Sequence, residues 1–189
     1  MAMDTYGIPQ LVADLKLLRA TARNETEILE GVRPLAQRAA LSKASWLEKR
    51  MYQTDAEQGF GVGLLHEEPD HSLAILALSW LPGRGTPAHD HGTWAVIAGV
   101  DGAEKNEFFE RLDDRQKPGY AELKKIAEKT FADGEVLAMP TGSIHSVVNT
   151  GDTVSVSLHI YGKHINYTGR SQFDPERRVE KPFLLKMSD

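Results

Sequence analysis

The sequence contains no cysteine. That excludes a disulfide, a thiolate ligand and a cysteine nucleophile. A chain without a disulfide framework fits a reducing compartment, so a cytoplasmic location is expected. Long apolar runs are also missing. The longest, such as Leu73–Leu81, fall far short of the roughly 20 residues a spanning helix needs. There is no block of lysine and arginine, and the net charge is -5. Neither nucleic acid nor an anionic membrane is expected as a partner. Met1-Ala2-Met3-Asp4 lacks a basic patch followed by an apolar stretch, so no signal peptide is expected. Solenoid repeats and low-complexity segments are absent too. What remains is 189 residues, 41% hydrophobic and 26% charged. That balance suits one folded domain of ordinary size with a helical extension.

The first third reads as helical, and residues 1–60 are expected to pack on the remainder of the chain. Ile8-Pro9 can open a helix in which Leu11, Val12, Leu15 and Leu18 recur at three- and four-residue steps. A second helix is expected from Glu25 to Val32. A third is expected from Pro34, suited to a first turn, to Met51, with Leu35, Ala39, Trp46, Leu47 and Met51 on one face. From Gly61 the texture changes, and residues 61–189 read as a β domain. Leu64-Leu65, the Glu67–Asp70 turn and Leu73–Trp80 predict a hairpin. Pro82–Gly85 is a turn. Short strands come next around Trp94–Val100, Lys105–Arg111, Glu135–Met139, Ser146–Asn149 and Val154–Tyr161, with a short helix expected at Tyr120–Lys129. Many short strands and frequent turns predict a barrel or sandwich. Asp174–Asp189 reads as a tail packing through Pro182, Phe183, Leu184 and Leu185.

Seven histidines are present. His89 and His91 alternate on an extended segment, so both point to one face and can reach one ion. A third donor can come from His145, at the start of a later strand. Imidazole suits iron, zinc, copper and nickel. Three neutral ligands leave open coordination positions, which marks a reaction centre rather than a structural clip. A second polar face lies on Ser157, His159 and Tyr161, spaced by two on an otherwise apolar strand. Buried without partners, such groups would cost on the order of 1–3 kcal/mol each. They predict a hydrogen-bonded array, either structural or a relay beside the metal.

These residues carry a resemblance. Gly83-x5-His89-x-His91 resembles the first half of the first cupin motif, and Gly134-x5-Pro140-x-Gly142-x2-His145-x3-Asn149 matches the second motif at every position. The resemblance implies a double-stranded β-helix, a jelly-roll barrel, with a metal on His89, His91 and His145. Cupins usually place a glutamate a few residues after the second histidine. Here Gly92-Thr93-Trp94-Ala95-Val96 holds no carboxylate, and Glu104, much later, is expected to be solvated or structural. A three-histidine site without the glutamate is similar to that of the cupin thiol dioxygenases, as is the Ser157-His159-Tyr161 array. The likeness spans roughly Leu73 to Phe183. It implies Fe(II), O2 and a small thiol as reactants.

Within those enzymes, the cysteine dioxygenase type has an arginine where this chain has Gly61-Val62-Gly63, and the animal forms carry a cysteine linked to the tyrosine. The mercaptopropionate type is resembled more. Trp94 follows the histidine pair, Arg170 stands nine residues after Tyr161, and Glu180-Lys-Pro-Phe183 is similar. That likeness implies carboxylate binding by Arg170, whose planar fork suits the task, and a place for Trp94 at the pocket wall or in the core. The phrase from His89 to Ile97 also resembles a broad set of bacterial cupins without a characterised substrate. The expected activity is oxidation of a thiol carboxylate, 3-mercaptopropionate or cysteine-like, to its sulfinic acid. The alternatives are a metal-dependent cupin enzyme with a non-thiol substrate and a non-catalytic cupin that binds a small molecule. Of the other histidines, His66 and His71 are expected to be exposed and His164 to lie at the surface. Asp90 is expected to point away from the metal. A homo-oligomer is allowed by the sequence, which does not decide between states.

Overall fold

The computed structural model describes residues 6–188, so the expectation about Met1–Asp4 lies outside the described residues. Two helices come first, α1 (Ile8–Thr21) and α2 (Glu25–Leu41). Pro9 opens α1, whose Leu11 and Leu15 are buried. Asn24 caps α2, its side chain accepting from the Glu27 amide at 3.0 Å. The sequence predicts a break at Pro34, but α2 runs through it. Pro34 lies on the exposed side, so the carbonyl it leaves without a helical donor can be met by water. Leu29, Val32, Ala36, Ala39 and Ala40 keep the buried stripe unbroken across it. Beyond Leu41 the expected helix gives way to two short 3-10 turns, Lys43–Ser45 and Lys49–Tyr52. Ser45 Oγ donates to the backbone of Ser42 and Tyr6, a local alternative to helical bonding.

The rest is β. In chain order the strands are β1 (Phe60–Glu67), β2 (Ala74–Trp80), β3 (Gly85–His89), β4 (Ala95–Asp101), β5 (Glu104–Arg111), β6 (Leu123–Phe131), β7 (Val136–Met139), β8 (Ile144–Asn149), β9 (Ser155–Tyr161), β10 (Ser171–Asp174) and β11 (Val179–Pro182). One sheet has the order β1-β2-β9-β4-β7 and the other β11-β10-β3-β8-β5-β6. The named strand pairs are antiparallel. The fold is the expected jelly-roll barrel with helices at its N-terminal end.

Two apolar clusters explain why β2 and β9 are buried along their whole length. Leu76, Leu78, Trp80, Ala95, Ile97 and Tyr161 face the barrel interior, with Phe183 and Leu185 from the C-terminal segment. The alternate residues Ile75, Ala77, Val96, Ala98, Leu158 and Ile160 pack outward under α1 and α2. A sheet covered on both faces reads as a near-continuous apolar run, which is what Leu73–Leu81 is.

Tyr120–Lys129 was expected to be helical, and its Lys, Glu and Ala content favours a helix. It forms β6 instead, an exposed edge strand paired with β5. Lys125 reaches Glu107 at 2.7 Å and Lys105 reaches Glu128 at 3.1 Å, so cross-strand charges replace the helical pairs. Lysines along a free edge also discourage pairing with another chain. Part of the expected tail is strand: β11 pairs with β10, and Phe183 and Leu185 are buried beyond it while Leu184 is exposed. No helix among the described residues is long and apolar enough to cross a membrane.

Candidate metal centre

The register brings two of the three histidines together. His89 ends β3 and sits directly opposite His145 of β8. His91 comes two residues later. The rings stand close, with centroids 4.6 Å apart for His89 and His145, 5.0 Å for His91 and His145, and 5.0 Å for His89 and His91. One donor atom from each lies within 4.8 Å of the others, and all three residues are buried.

Local backbone chemistry sets these positions. Ser143 N donates to Pro140 O at 3.1 Å across a turn whose third residue, Gly142, has φ +89°. Only glycine adopts that geometry cheaply, and the turn aims β8 so that His145 points inward. Gly92, after His91, has φ +63°, and a Cβ there would lie 2.8 Å from Thr168 Cβ. Asn149, the last residue of the motif, plays a structural part. Its amide nitrogen donates to Trp80 O and Thr153 O, and its oxygen accepts from Gly151 N.

The tautomers follow from the partners. His89 Nδ1 donates to the Pro87 carbonyl at 2.9 Å, an atom that can only accept. His145 Nδ1 faces Asn106 Oδ1 at 2.8 Å. The Asn106 amide nitrogen donates to Glu104 O at 3.3 Å, so its oxygen is the end turned to the imidazole. Each Nε2 is then left as a lone pair. Nε2 of His91 and of His145 are buried without a hydrogen-bond partner among the described residues. Burial drives all three pKa values down. His145 is pushed to about 3, first by burial and then by the charge of Arg170. His89 and His91 fall well below their ordinary value by burial first and neighbouring imidazoles second. Three neutral imidazoles, two of them with a buried Nε2 that has no partner among the described residues, fit a divalent metal ion, with acceptors behind two of the rings to hold them.

Asn106 was not singled out from the sequence, although the period of two along β5 turns Glu104, Asn106 and Phe108 to one side. Replacing Asn106 by Ala is expected to lower metal affinity about 10–100-fold, the usual effect of removing such a partner. A competition titration with a chelator measures it, and unchanged affinity would show that His145 is oriented by something else.

Ser157, His159 and Tyr161 share the inner face of β9. Ser157 Oγ is 2.8 Å from His159 Nε2, and His159 Nδ1 is 2.8 Å from Tyr161 Oη. Trp80 Nε1 donates to Ser157 Oγ at 3.1 Å. The Tyr161 ring lies 5.1 Å from that of His91. Burial, then the charges of His145 and Arg170, push His159 down to about 3, so it is neutral. Burial raises the Tyr161 pKa, so the phenol keeps its proton.

Arg170 is buried, with 3% of its surface exposed. Its Nε donates to Phe183 O at 3.2 Å and its guanidinium carbon sits 4.2 Å from the centre of the Phe183 ring. The Nη2 atom is buried with no hydrogen-bond partner among the described residues. Burial pushes the pKa down to about 10, still a cation at neutral pH. Phe183 also packs against His89, with ring centroids 5.4 Å apart, so the C-terminal segment joins the arginine to the histidines. Asp90 ties them from the other side. Its amide donates to Ser171 O at 3.1 Å and its carboxylate accepts from Ser171 N at 2.8 Å.

Several expectations need correction. Trp94 belongs to the cluster under the helices, while the neighbouring Ala95 faces the interior with Tyr161. Its alternation places it behind the strand from the histidines, so it packs in the core and does not wall the pocket. Glu104, expected to be solvated or structural, is buried beside the Ser157 hydroxyl, which rules out the first of these. His164 is buried rather than at the surface, and its Nδ1 accepts from Asn166 N at 3.2 Å. His66 and His71 are half-buried, held by Glu68 and Glu67.

No family model matches the chain. Among solved structures, it is similar to an oxalate oxidase in complex with the substrate analogue glycolate, at 18% identity and TM-score 0.47 over 62% of this chain and 59% of that one. The chain thus spans about three fifths of that relative. TT1209 from Thermus thermophilus is similar at 17% identity and TM-score 0.47, over 61% of this chain and 92% of that one. An oxalate decarboxylase from Bacillus subtilis, described with Mn(II) centres, is similar at 22% identity and TM-score 0.40, over 53% and 24%.

Proposed function

We propose that the protein is a non-haem Fe(II) thiol dioxygenase that oxidises a small thiol carboxylate, 3-mercaptopropionate or a cysteine-like compound, to its sulfinic acid with O2. The observation that carries this reading is Arg170, a buried guanidinium with a nitrogen unpartnered among the described residues, whose charge acts on all three histidines. The Asp90 charge acts on Arg170, but among the described residues no carboxylate is hydrogen-bonded to it, so a bound anion lowers the cost of burying the cation. The three histidines supply no negative charge, so a divalent ion there leaves the site strongly positive. A substrate with a thiolate at one end and a carboxylate at the other matches that charge.

His89, His91 and His145 would hold the iron. When bound there, iron would lower the thiol pKa and supply the redox chemistry of oxygen transfer. The chain's residues do the rest. Arg170 binds the carboxylate through the planar fork and fixes the length of substrate that reaches the histidines. Phe183, across the guanidinium and against His89, excludes water from both. Tyr161 presents a neutral phenol next to His91, held in one orientation by His159 and, through it, by Ser157.

Oxygen uptake by the Fe(II)-loaded protein tests the reading. Thiols that carry a carboxylate, 3-mercaptopropionate and cysteine, are expected to support uptake and yield the sulfinate. Cysteamine, which lacks the carboxylate, is expected to be poor. Uptake with none of the three would end the proposal. Loading with Mn(II) in parallel separates a requirement for iron from a general metal effect.

A further inference from the structure

Glu104 opens β5 inside the barrel and has no part in the proposed thiol oxidation. It is a carboxyl only 5% exposed. Its surroundings are few. Ser155 Oγ donates to Glu104 Oε1 at 3.3 Å, and the carboxyl faces the Ser157 hydroxyl of β9 and the Trp80 indole of β2. Asn149, its register partner on β8, is committed to backbone groups. Among the described residues, no lysine, arginine or histidine bears on it. Its charge instead reaches Tyr161.

We propose that Glu104 is the inner terminus of a proton chain, Glu104–Ser157–His159–Tyr161, which holds a proton in reserve for the phenol beside the histidine site. The Trp80 indole can only donate, so Ser157 Oγ accepts from it in every state. Two hydrogen-bond patterns satisfy everything else. In the first, Glu104 is protonated and donates to Ser157, Ser157 donates to His159 Nε2, His159 Nδ1 donates to Tyr161, and the Tyr161 O–H points into the site. In the second, Glu104 is ionised, and Tyr161 donates to His159 Nδ1, His159 Nε2 to Ser157, and Ser157 to Glu104. Passing from first to second gives one proton from Tyr161 to an oxygen of the bound ligand. Tyr161 takes the Nδ1 proton, His159 takes that of Ser157, and Ser157 takes that of Glu104. His159 is neutral in both patterns, in keeping with its burial. Glu104 acts through the others and is a positioning residue, not a catalytic one. Burial raises its pKa to about 8, so the first pattern is the resting one at neutral pH.

The chain can be tested without turnover. In infrared pH-difference spectra of the metal-loaded, anaerobic protein, a protonated buried carboxyl is expected to ionise near pH 8, to vanish in Glu104→Gln, and to change midpoint in Ser157→Ala. Spectra of wild type and Glu104→Gln that match through neutral pH would overturn the proposal, as would a band that ignores Ser157→Ala. Thermal unfolding gives a second reading with a definite sign. The folded state keeps a proton that the unfolded chain releases, so between pH 4.5 and about 8 the folded state binds more protons and wild type loses stability as pH rises. Relative to Glu104→Gln, wild type is therefore expected to weaken across that window. A wild type that instead gains on the variant as pH rises would mean a stabilised carboxylate and no reserve proton.

The activity arm rests on the proposed function. With 3-mercaptopropionate, the wild-type kcat is expected to fall as pH rises past about 8. Glu104→Gln is expected to lose about 10-fold or more in kcat, since an amide cannot pass the proton on, and to lose that alkaline limb. An unchanged kcat–pH profile in Glu104→Gln would overturn the chain. Should no thiol be oxidised, the functional proposal fails and the spectra and unfolding curves still decide on Glu104.

Discussion

Replacing His145 by Ala is expected to abolish stable metal binding. The three donors lie within 4.8 Å of one another and none is a carboxylate, so an ion there would be held by imidazole nitrogen alone. Removing one of three leaves two neutral donors. Loss of an outer partner costs about 10–100-fold in affinity, and loss of a direct ligand must exceed that. The variant carries a second penalty. Asn106 Oδ1, which accepts from His145 at 2.8 Å, is left buried without a donor. That costs on the order of 1–3 kcal/mol of fold stability. Metal analysis after gel filtration, paired with circular dichroism to check the fold, separates the two effects. His91→Ala supplies the control: among the described residues no side-chain acceptor comparable to Asn106 stands behind His91, so the same loss of metal is expected with a smaller loss of stability. One metal per folded chain in either variant would remove the three-histidine centre from the account.

The histidines could be found from the sequence because their geometry is local. His89 and His91 share a face by the period of two, and the spacing from Gly134 to Asn149 encodes a turn and the strand after it. The Ser157-His159-Tyr161 array was legible for the same reason, since one strand carries it. What could not be seen depends on which strands are neighbours. Nothing local says that β5 lies beside β8, and so Asn106 behind His145 and Glu104 beside Ser157 were missed or misplaced. Trp94 shows the converse. It stands one residue before Ala95, and that single step decides between barrel interior and helix-covered face. The strand β6 was read as a helix because its composition is helical, and only pairing with β5 overrides that preference. Pro34 misled in the same way, since its tolerance inside α2 depends on which side of the helix faces water.

Arg170 carries the largest effect on substrate choice. Changing it to Gln is expected to lower kcat/KM for 3-mercaptopropionate on the order of 100-fold. Two charge-assisted hydrogen bonds to a carboxylate, at about 1.5–3 kcal/mol each, support a loss of that size. Arg170→Lys is expected to recover only part of it, because an ammonium keeps the charge but not the fork. Metal content should not change, since the arginine is no ligand. Poor turnover of cysteamine should not worsen, since that thiol has no carboxylate to lose, and this comparison separates a binding role from general damage to the site. Arg170 also fastens Phe183 through the bond from Nε to the Phe183 carbonyl at 3.2 Å, so a purely structural role would lower the rate with every thiol alike. An unchanged KM for 3-mercaptopropionate in Arg170→Gln would leave the buried cation unexplained and favour a substrate that does not meet it. The charge argument weighs against that outcome. Burial already lowers the Arg170 pKa to about 10, the direction expected for a cation that the protein solvates less well than water does. A guanidinium held in that state, with one nitrogen unpartnered and three neutral imidazoles near it, gains most from a ligand that brings its own negative charge.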